Sequence, residues 1–447
     1  MQVRTDELTP EQLRLVDGRI LAKRVKYRAW QRYMKGHNPP IMDAEAKESP
    51  PDNRVPVPFA RKIVRTLKGY MFKPGFITYT TEGDYGGTLK DIFDLNDEEL
   101  LTAEVAKEAL STPECYEVVR VGDDLTPRIY KVPYHKGYPV YDDTLAEDLV
   151  AFVHFDILDD YDKTEIRTIY YDDRYIVQER RLSAGEWSEP EEFAHPFGQV
   201  PVAIYKATDE ELPIFDCVLP MIDEHDKVIS SAYADERERF ANSLLVLLDK
   251  LVDGSEEEQA ATLKRLRENR ILQDIGRNEA ISSVQNAVAF LTKPSRGPDT
   301  AEEADRLERL IYDMAMVINP TDERFGIASG IALRYKLLPM EFLAADIEAY
   351  FSRGLQERIQ IIGNALRSLR GIQVEPVTIH WRRNLPTDLE NLGTTAQVLK
   401  GILSDRTILQ QFPGDVVPDL DAELERLSEQ TDPLGGLDDF MDSGDDV

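Results

Sequence analysis

Asp156, Asp159, Asp160 and Asp162 lie close together and are of a type that could hold a divalent cation. A calcium loop of the EF-hand kind needs a glycine at its sixth position and a bidentate glutamate at its end. This stretch has neither. A solvated hairpin turn between two strands is the better reading. The six histidines are scattered, and none sits beside a cysteine or a second histidine at ligand spacing. His225 falls on a helical stretch and reads as a packed or exposed helix residue rather than a catalyst. No phosphate-cradling Walker sequence and no nucleophile elbow occurs. Aspartate and glutamate total 83, so any two could be named an acid/base pair and that signal carries no weight. Cys115 and Cys217 are far apart and form no metal or redox pattern; two buried free thiols are expected. No cofactor or metal site is implied. The enzymatic alternative left open is a carboxylate-dependent metal hydrolase or nuclease.

The charge balance narrows the classes further. Against the 83 acids stand 53 lysines and arginines, a formal charge of −30. An ordinary DNA-binding protein takes its affinity from cations that neutralise phosphates and release counterions, so this balance argues against one. Hydrophobic residues make up 42 % of the chain, enough to build a core across 447 residues and two or three domains or one elongated subunit. The first residues lack the charged region and apolar run of a signal peptide, and no apolar run approaches the length of a membrane span. The expectation is a soluble intracellular product with no membrane contact.

The elements that would position any site follow from periodicity. Residues 9 to 35 read as a helix with Thr9 as cap and Pro10 in the first turn. Its Lys23, Arg24, Lys26, Arg28 and Arg32 form the densest basic run, and a solvated helix face is preferred over a nucleic-acid contact. A proline-rich arm spans 37 to 58, a helix 59 to 70, short strands 76 to 80, and helical spacing 88 to 110. Between 116 and 181, five runs of β-branched and aromatic residues alternate with turn residues and predict strands at 116–121, 128–133, 151–158, 166–171 and 175–181. A helix is expected over 216–241. A compact insertion over 242–298 should follow, with strands at 244–248, 270–274 and 288–292 around a helix at 256–268. Leu307, Leu310, Ile311, Met314 and Val317 share one face of a helix expected over 299–318, broken by Pro320. A much longer helix over 331–369 holds Pro339, where a kink is expected. Its Tyr350, Phe351, Leu355, Ile359 and Ile362 exceed what one helix stripe usually needs, which points to large interfaces between copies. A strand over 374–381 and helices over 387–401, 404–412 and 421–429 lead to a tail, 432–447, that holds six aspartates and no lysine or arginine and is expected to be disordered.

Several short motifs in this order carry a resemblance. They are Asp52-Asn53-Arg54-Val55-Pro56-Val57-Pro58-Phe59 followed by Gly69-Tyr70, and Asp322-Glu323-Arg324-Phe325-Gly326 followed by Ala328-Ser329-Gly330-Ile331-Ala332-Leu333-Arg334-Tyr335-Lys336. Arg353-Gly354-Leu355-Gln356-Glu357-Arg358 and Arg382-Arg383-Asn384-Leu385-Pro386-Thr387-Asp388 complete the set. Together they resemble the portal proteins of long-tailed bacteriophages, over roughly residues 25 to 430.

The resemblance implies an α+β portal fold: a mixed α/β wing, a helical stem, a small α/β clip, a long kinked helix and a helical crown. On this chain it implies an N-terminal arm and wing over 1–215, a first stem helix over 216–241, the clip over 242–298, and a second stem helix over 299–318. A tunnel loop over 319–330, the long helix and wing strand over 331–386, the crown over 387–431 and an acidic tail over 432–447 would follow. It implies no catalysis. It implies a homo-oligomeric ring, a dodecamer in the family, at one vertex of a phage head. Double-stranded DNA would pass through that ring without sequence specificity. The implied partners are the terminase large subunit, head-completion and adaptor proteins, scaffold and the major capsid protein. Asp322, Glu323, Arg324, Phe325 and Ile327 would line the tunnel loop, with the first three as its charged contacts with DNA. Glu302, Glu303, Asp305 and Glu308 are candidates for an acidic channel wall that keeps DNA from sticking, and would equally make a solvated outer face.

Overall fold

The computed structural model describes residues 1–3, 7–45, 53–81, 85–159, 164–181, 185–241, 244–247, 288–291, 297–319, 330–384, 389–400 and 402–409, with a few isolated residues up to 427. Strand β1 is Gln2–Val3 and helix α1 is Pro10–Lys35. Thr9 and Gln12 close a reciprocal capping box at the start of α1, and Gly36 at φ 71° ends it. Helices α2 (Pro39–Met42) and α3 (Phe59–Met71), strand β2 (Ile77–Thr81) and helices α4 (Tyr85–Leu95) and α5 (Glu98–Ser111) follow. The helical spacing read over 88–110 is thus two helices, parted by Asn96 and by Asp97 at φ 47°.

Eight strands come next: β3 (Cys115–Val121), β4 (Pro127–Val132), β5 (Gly137–Asp142), β6 (Leu149–Asp159), β7 (Thr164–Tyr170), β8 (Arg174–Arg181), β9 (Glu191–Ala194) and β10 (Val202–Tyr205). One sheet has the order β1-β5-β6-β7-β8-β9, antiparallel except where β1 runs parallel to β5. A smaller antiparallel sheet has the order β10-β3-β4. The chain continues through α6 (Leu219–Ala241), the paired strands β11 (Leu244–Leu247) and β12 (Val288–Leu291), and α7 (Gly297–Met314). The helix and third strand expected between β11 and β12 lie outside the described residues. Helix α8, Gly330–Arg370, has 41 residues with Pro339 inside, and β13 (Val377–Trp381) returns to pair with β2.

The core is built in two main bodies that α1 joins. Its first half places Leu13, Val16 and Ile20 against Val140, Ala151, Val153, Phe155 and Ile169 of the large sheet. Its second half places Trp30, Tyr33 and Met34 in a larger core with Ile63, Val64 and Leu67 of α3 and Ile347, Phe351 and Leu355 of α8. The chain divides into two compact units, one of Met1–Asp322 with Leu337–Arg382, the other of Glu323–Lys336 with Arg383–Val447. In the second unit the described elements after β13 are α9 (Leu389–Leu399) and α10 (Asp405–Leu409), where Ser404 caps α10 and Ile408 is buried. The helix expected at 421–429 and the acidic tail fall outside the described residues apart from isolated positions.

Three expectations are corrected. Only Cys115 is buried; Cys217 is exposed, because the short 3-10 turn Asp216–Val218 turns Val218 inward instead. The helix expected to reach residue 318 ends at Met314. Met316 adopts φ 54°, and the Val317 and Met316 amides return to the carbonyls of Tyr312 and Asp313, a Schellman closure reached well before Pro320. Met314 is consequently 53 % exposed rather than part of the buried face. Finally, Phe351, Leu355, Ile359 and Ile362 are buried within the subunit, so they are not surface left over for a neighbour.

Candidate functional site

The two helices expected to form the stem, α6 and α7, pack side by side. On α6 the buried positions are Ile222, His225, Asp226, Val228 and Ser230. Asp226 is fully buried, and its carboxyl group accepts from Asn38 Nδ2 at 2.5 Å and from the Val57 amide at 3.0 Å. One turn on, Ser230 Oγ accepts from the Val55 amide at 3.0 Å. These contacts explain why residues 53–58 can be extended and still ordered: a stretch with Pro56 and Pro58 that cannot form its own ladder is pinned by side chains of a helix. His225 is buried and packs edge-on against Phe59 at 4.9 Å.

On α7, Ala304, Ile311 and Tyr312 face inward. Of the wall candidates, Glu302, Glu303 and Asp305 are exposed, and Glu308 is half-buried. The exposed face also carries Asp299, Arg306, Arg309 and Asp313, so acids outnumber arginines five to two. Glu308 is engaged elsewhere. It accepts from Asn319 Nδ2 at 2.9 Å, and Asn319 Oδ1 accepts from Lys62 Nζ at 3.1 Å. This relay ties the end of the α7 turn to α3. The five loop candidates, Asp322, Glu323, Arg324, Phe325 and Ile327, lie outside the described residues.

The basic run on α1 is not one face. Lys23 points inward and donates to Glu114 Oε1 at 2.8 Å and Tyr116 Oη at 2.6 Å, among the rings of Tyr116, Tyr134 and Tyr138. Burial lowers its pKa, and the Glu114 carboxylate partly offsets that. Arg32 forms a bidentate pair with Asp43, while Lys26 and Arg28 stay exposed. Asp156 of the aspartate cluster pairs with Lys136 at 2.7 Å; the turn after it lies outside the described residues. Among the described residues no group of acids, histidines and cysteines is arranged to hold a metal ion, and no helix is long and apolar enough to cross a membrane.

The most heavily bonded ion group among the described residues was not singled out as a site by sequence reasoning. Arg358 on α8 is fully buried and donates to Glu117 through Nε at 2.7 Å and Nη2 at 2.5 Å. Its Nη1 donates to Glu98 Oε1 at 2.6 Å and Thr102 Oγ1 at 2.9 Å. Tyr205 donates to Glu117 at 2.6 Å and Tyr79 to Glu98 at 2.7 Å. Burial opposes the charge on Arg358, but Glu117, Tyr205 and Glu98 outweigh it and hold the pKa well above the usual arginine value. One turn back, Gly354 lets α8 lie against β10, where a Cβ would stand 2.6 Å from the Tyr205 ring and 2.8 Å from the Ile204 carbonyl. Glu357 beside them accepts from the Ile204 amide at 3.1 Å. The motif Arg353 to Arg358 is therefore a joint between the long helix, the small sheet and α5. In the sequence this stretch stood out only as one of the resemblance motifs, with nothing local to say that Arg358 would be buried.

The family model for "Phage portal protein, SPP1 Gp6-like" matches residues 17–433 of the chain. No curated protein matches. Among solved structures, a chain from the virion of a native gene transfer agent particle is 12 % identical, with 87 % of this chain and 93 % of that one covered at a TM-score of 0.41. A chain from the neck of a native gene transfer agent particle, computed with C12 symmetry, is 12 % identical, with 79 % and 91 % covered at a TM-score of 0.43.

Proposed function

The chain belongs to the phage portal protein family, and from that premise we propose that it forms a ring, a dodecamer in the assembled head, at one vertex of a phage capsid. The observation that carries this is the family match over residues 17–433, nearly the whole chain. The ring is the channel through which the terminase motor drives double-stranded DNA inward and through which it later leaves. Terminase large subunit, scaffold and major capsid protein, then head-completion and tail proteins, dock on it in turn. The protein itself hydrolyses nothing.

The charge supports the role of a conduit. A wall facing DNA with more acids than bases cannot form the dense phosphate contacts that slow a duplex down. Glu302, Glu303 and Asp305 on the exposed face of α7 have the character such a wall needs. Glu308 fits it less well, being tied to Asn319. The segment from 319 to 330 is the tunnel loop in this reading, with Asp322, Glu323 and Arg324 repeated around the channel.

Two measurements test this. Sedimentation of the purified protein at micromolar concentration and physiological salt should give a closed oligomer; monomer alone would refute the ring. Replacing Asp322, Glu323 and Arg324 together with alanine should leave the oligomer intact and alter DNA packaging or retention in assembled heads. Normal packaging and retention would remove these three residues from the channel while leaving the ring standing.

A further inference from the structure

Two helices of the subunit present apolar residues to solvent in the same pattern. On α1, Leu15, Gly18, Ala22, Val25 and Ala29 are all exposed and follow one another at steps of three and four. Leu21 lies beside them, and Leu15, Leu21 and Val25 are 50 %, 53 % and 69 % exposed. On α8, Leu338, Phe342, Ala345 and Ala349 are exposed at the same steps, with Phe342 61 % exposed. Apolar residues scattered singly on a surface need no explanation, but alternating steps of three and four place these in one straight seam on each helix. The opposite faces of both helices are filled by the cores described above, and among the described residues neither seam is covered by its own subunit.

The two seams complement each other. The α1 seam is low, with Gly18, Ala22 and Ala29 spaced along it around Val25. The α8 seam has its bulk in Leu338 and Phe342. Charge follows the same division. From Arg19 to its end, α1 carries seven cations and no acid, and Lys26 and Arg28 beside the seam are exposed. Between 337 and 352, α8 carries Glu341, Asp346 and Glu348 and no cation, and Asp346 beside the seam is exposed.

We propose that the α1 seam of one subunit packs against the α8 seam of the next, with Val25 and Phe342 near the centre of the contact. The occupant of each seam is a second copy of this chain. The inference rests on the ring reading and deepens it by stating which faces meet. A contact between two different faces of identical subunits is head-to-tail, the kind that closes into rings, whereas a face that pairs with itself stops at a dimer. Helices with this spacing pack as knobs into holes at a shallow crossing angle. The flanking charges contribute little energy in water but set orientation and disfavour the self-pairings α1 with α1 and α8 with α8.

The test uses the full chain with Cys217→Ser, which removes the exposed thiol and keeps the buried Cys115. Val25→Cys is combined in turn with Leu338→Cys, Phe342→Cys and Ala345→Cys, and the assembled protein is oxidised. At least one pair should give a ladder of covalent dimers, trimers and higher species on a non-reducing gel, while each single cysteine gives none. Val25→Asp and Phe342→Asp, both at exposed positions, should each shift the oligomer to monomer in sedimentation with the far-UV spectrum unchanged. A closed oligomer that gives no ladder with any pair overturns the proposal, as does a dimer band from a single cysteine or an oligomer that survives both aspartates. A wild-type protein that sediments only as monomer would instead refute the ring reading itself.

Discussion

Replacing Arg358 with methionine removes the only cation from a site that holds two buried carboxylates. In the native subunit its guanidinium makes three hydrogen bonds to Glu117 and Glu98 and a fourth to Thr102, with no solvent access. Methionine fills much of the volume, so the loss is electrostatic. Breaking a buried pair by deleting one partner typically costs about 3–5 kcal/mol, because the remaining charge keeps its desolvation penalty without its counter-ion. Here two carboxylates are stranded, which puts the expected cost at the upper end of that range. The assay is urea unfolding followed by tryptophan fluorescence at one fixed protomer concentration, since assembly adds to apparent stability by mass action. Trp30 and Trp381 pack against the same core as α8 and report on it. Adding Glu98→Gln and Glu117→Gln to the variant should recover most of the loss, since replacing a whole buried ion group is far less harmful than splitting it. A deficit below about 1 kcal/mol, or a triple variant no better than the single, would refute the view that these charges hold the joint together.

Gly354→Ala should destabilise by about 1–3 kcal/mol, because its methyl group would meet the Tyr205 ring and a backbone oxygen; the urea midpoint measures it. Asp226→Ala strands the Asn38 side chain and the Val57 amide and should make residues 53–58 the first point of cleavage in limited proteolysis. His135 and His154 have pKa values lowered to about 4, chiefly by burial, so both fold in the neutral form. The unfolded chain binds more protons between about pH 6.5 and 4, and stability should therefore fall as pH drops through that window. His154→Gln should flatten this loss in a thermal-melt series across the same pH range, and an unchanged slope would count against it.

Elements whose signal is local were legible in the sequence. The capping box at Thr9 and Gln12 fixes the start of α1, and α8 was read to within one residue at each end because its periodicity runs unbroken for eleven turns. Strands β3, β4, β6, β7 and β8 are rich in β-branched and aromatic residues and are bounded by turns. β5 escaped notice because it opens on Gly137 and contains Pro139, both poor strand residues. That glycine is required by packing, since a Cβ would lie 2.5 Å from Phe152 and 2.6 Å from Tyr116. The end of α7 was misplaced because a left-handed methionine carries no sequence signal comparable to glycine. The Arg358 group could not be read for a different reason. With 83 acids in the chain, nothing local says which two will meet an arginine 241 and 260 residues away.

Those separations bear on when a subunit can finish folding. Glu117 has left the ribosome long before Arg358 is made, and at about 5–20 residues per second the interval is on the order of ten to fifty seconds. During that time the small sheet lacks its counter-charge, and β10 lacks the Glu357 side chain that accepts from the Ile204 amide. The α1 helix, already complete, can form early, but the long helix that braces it from the other side of the core cannot. In the proposed ring, closure therefore waits until the chain is nearly whole. A truncated product ending before residue 358 would leave Glu117 and Glu98 without the cation they meet in the full chain, and its core would stay unsealed.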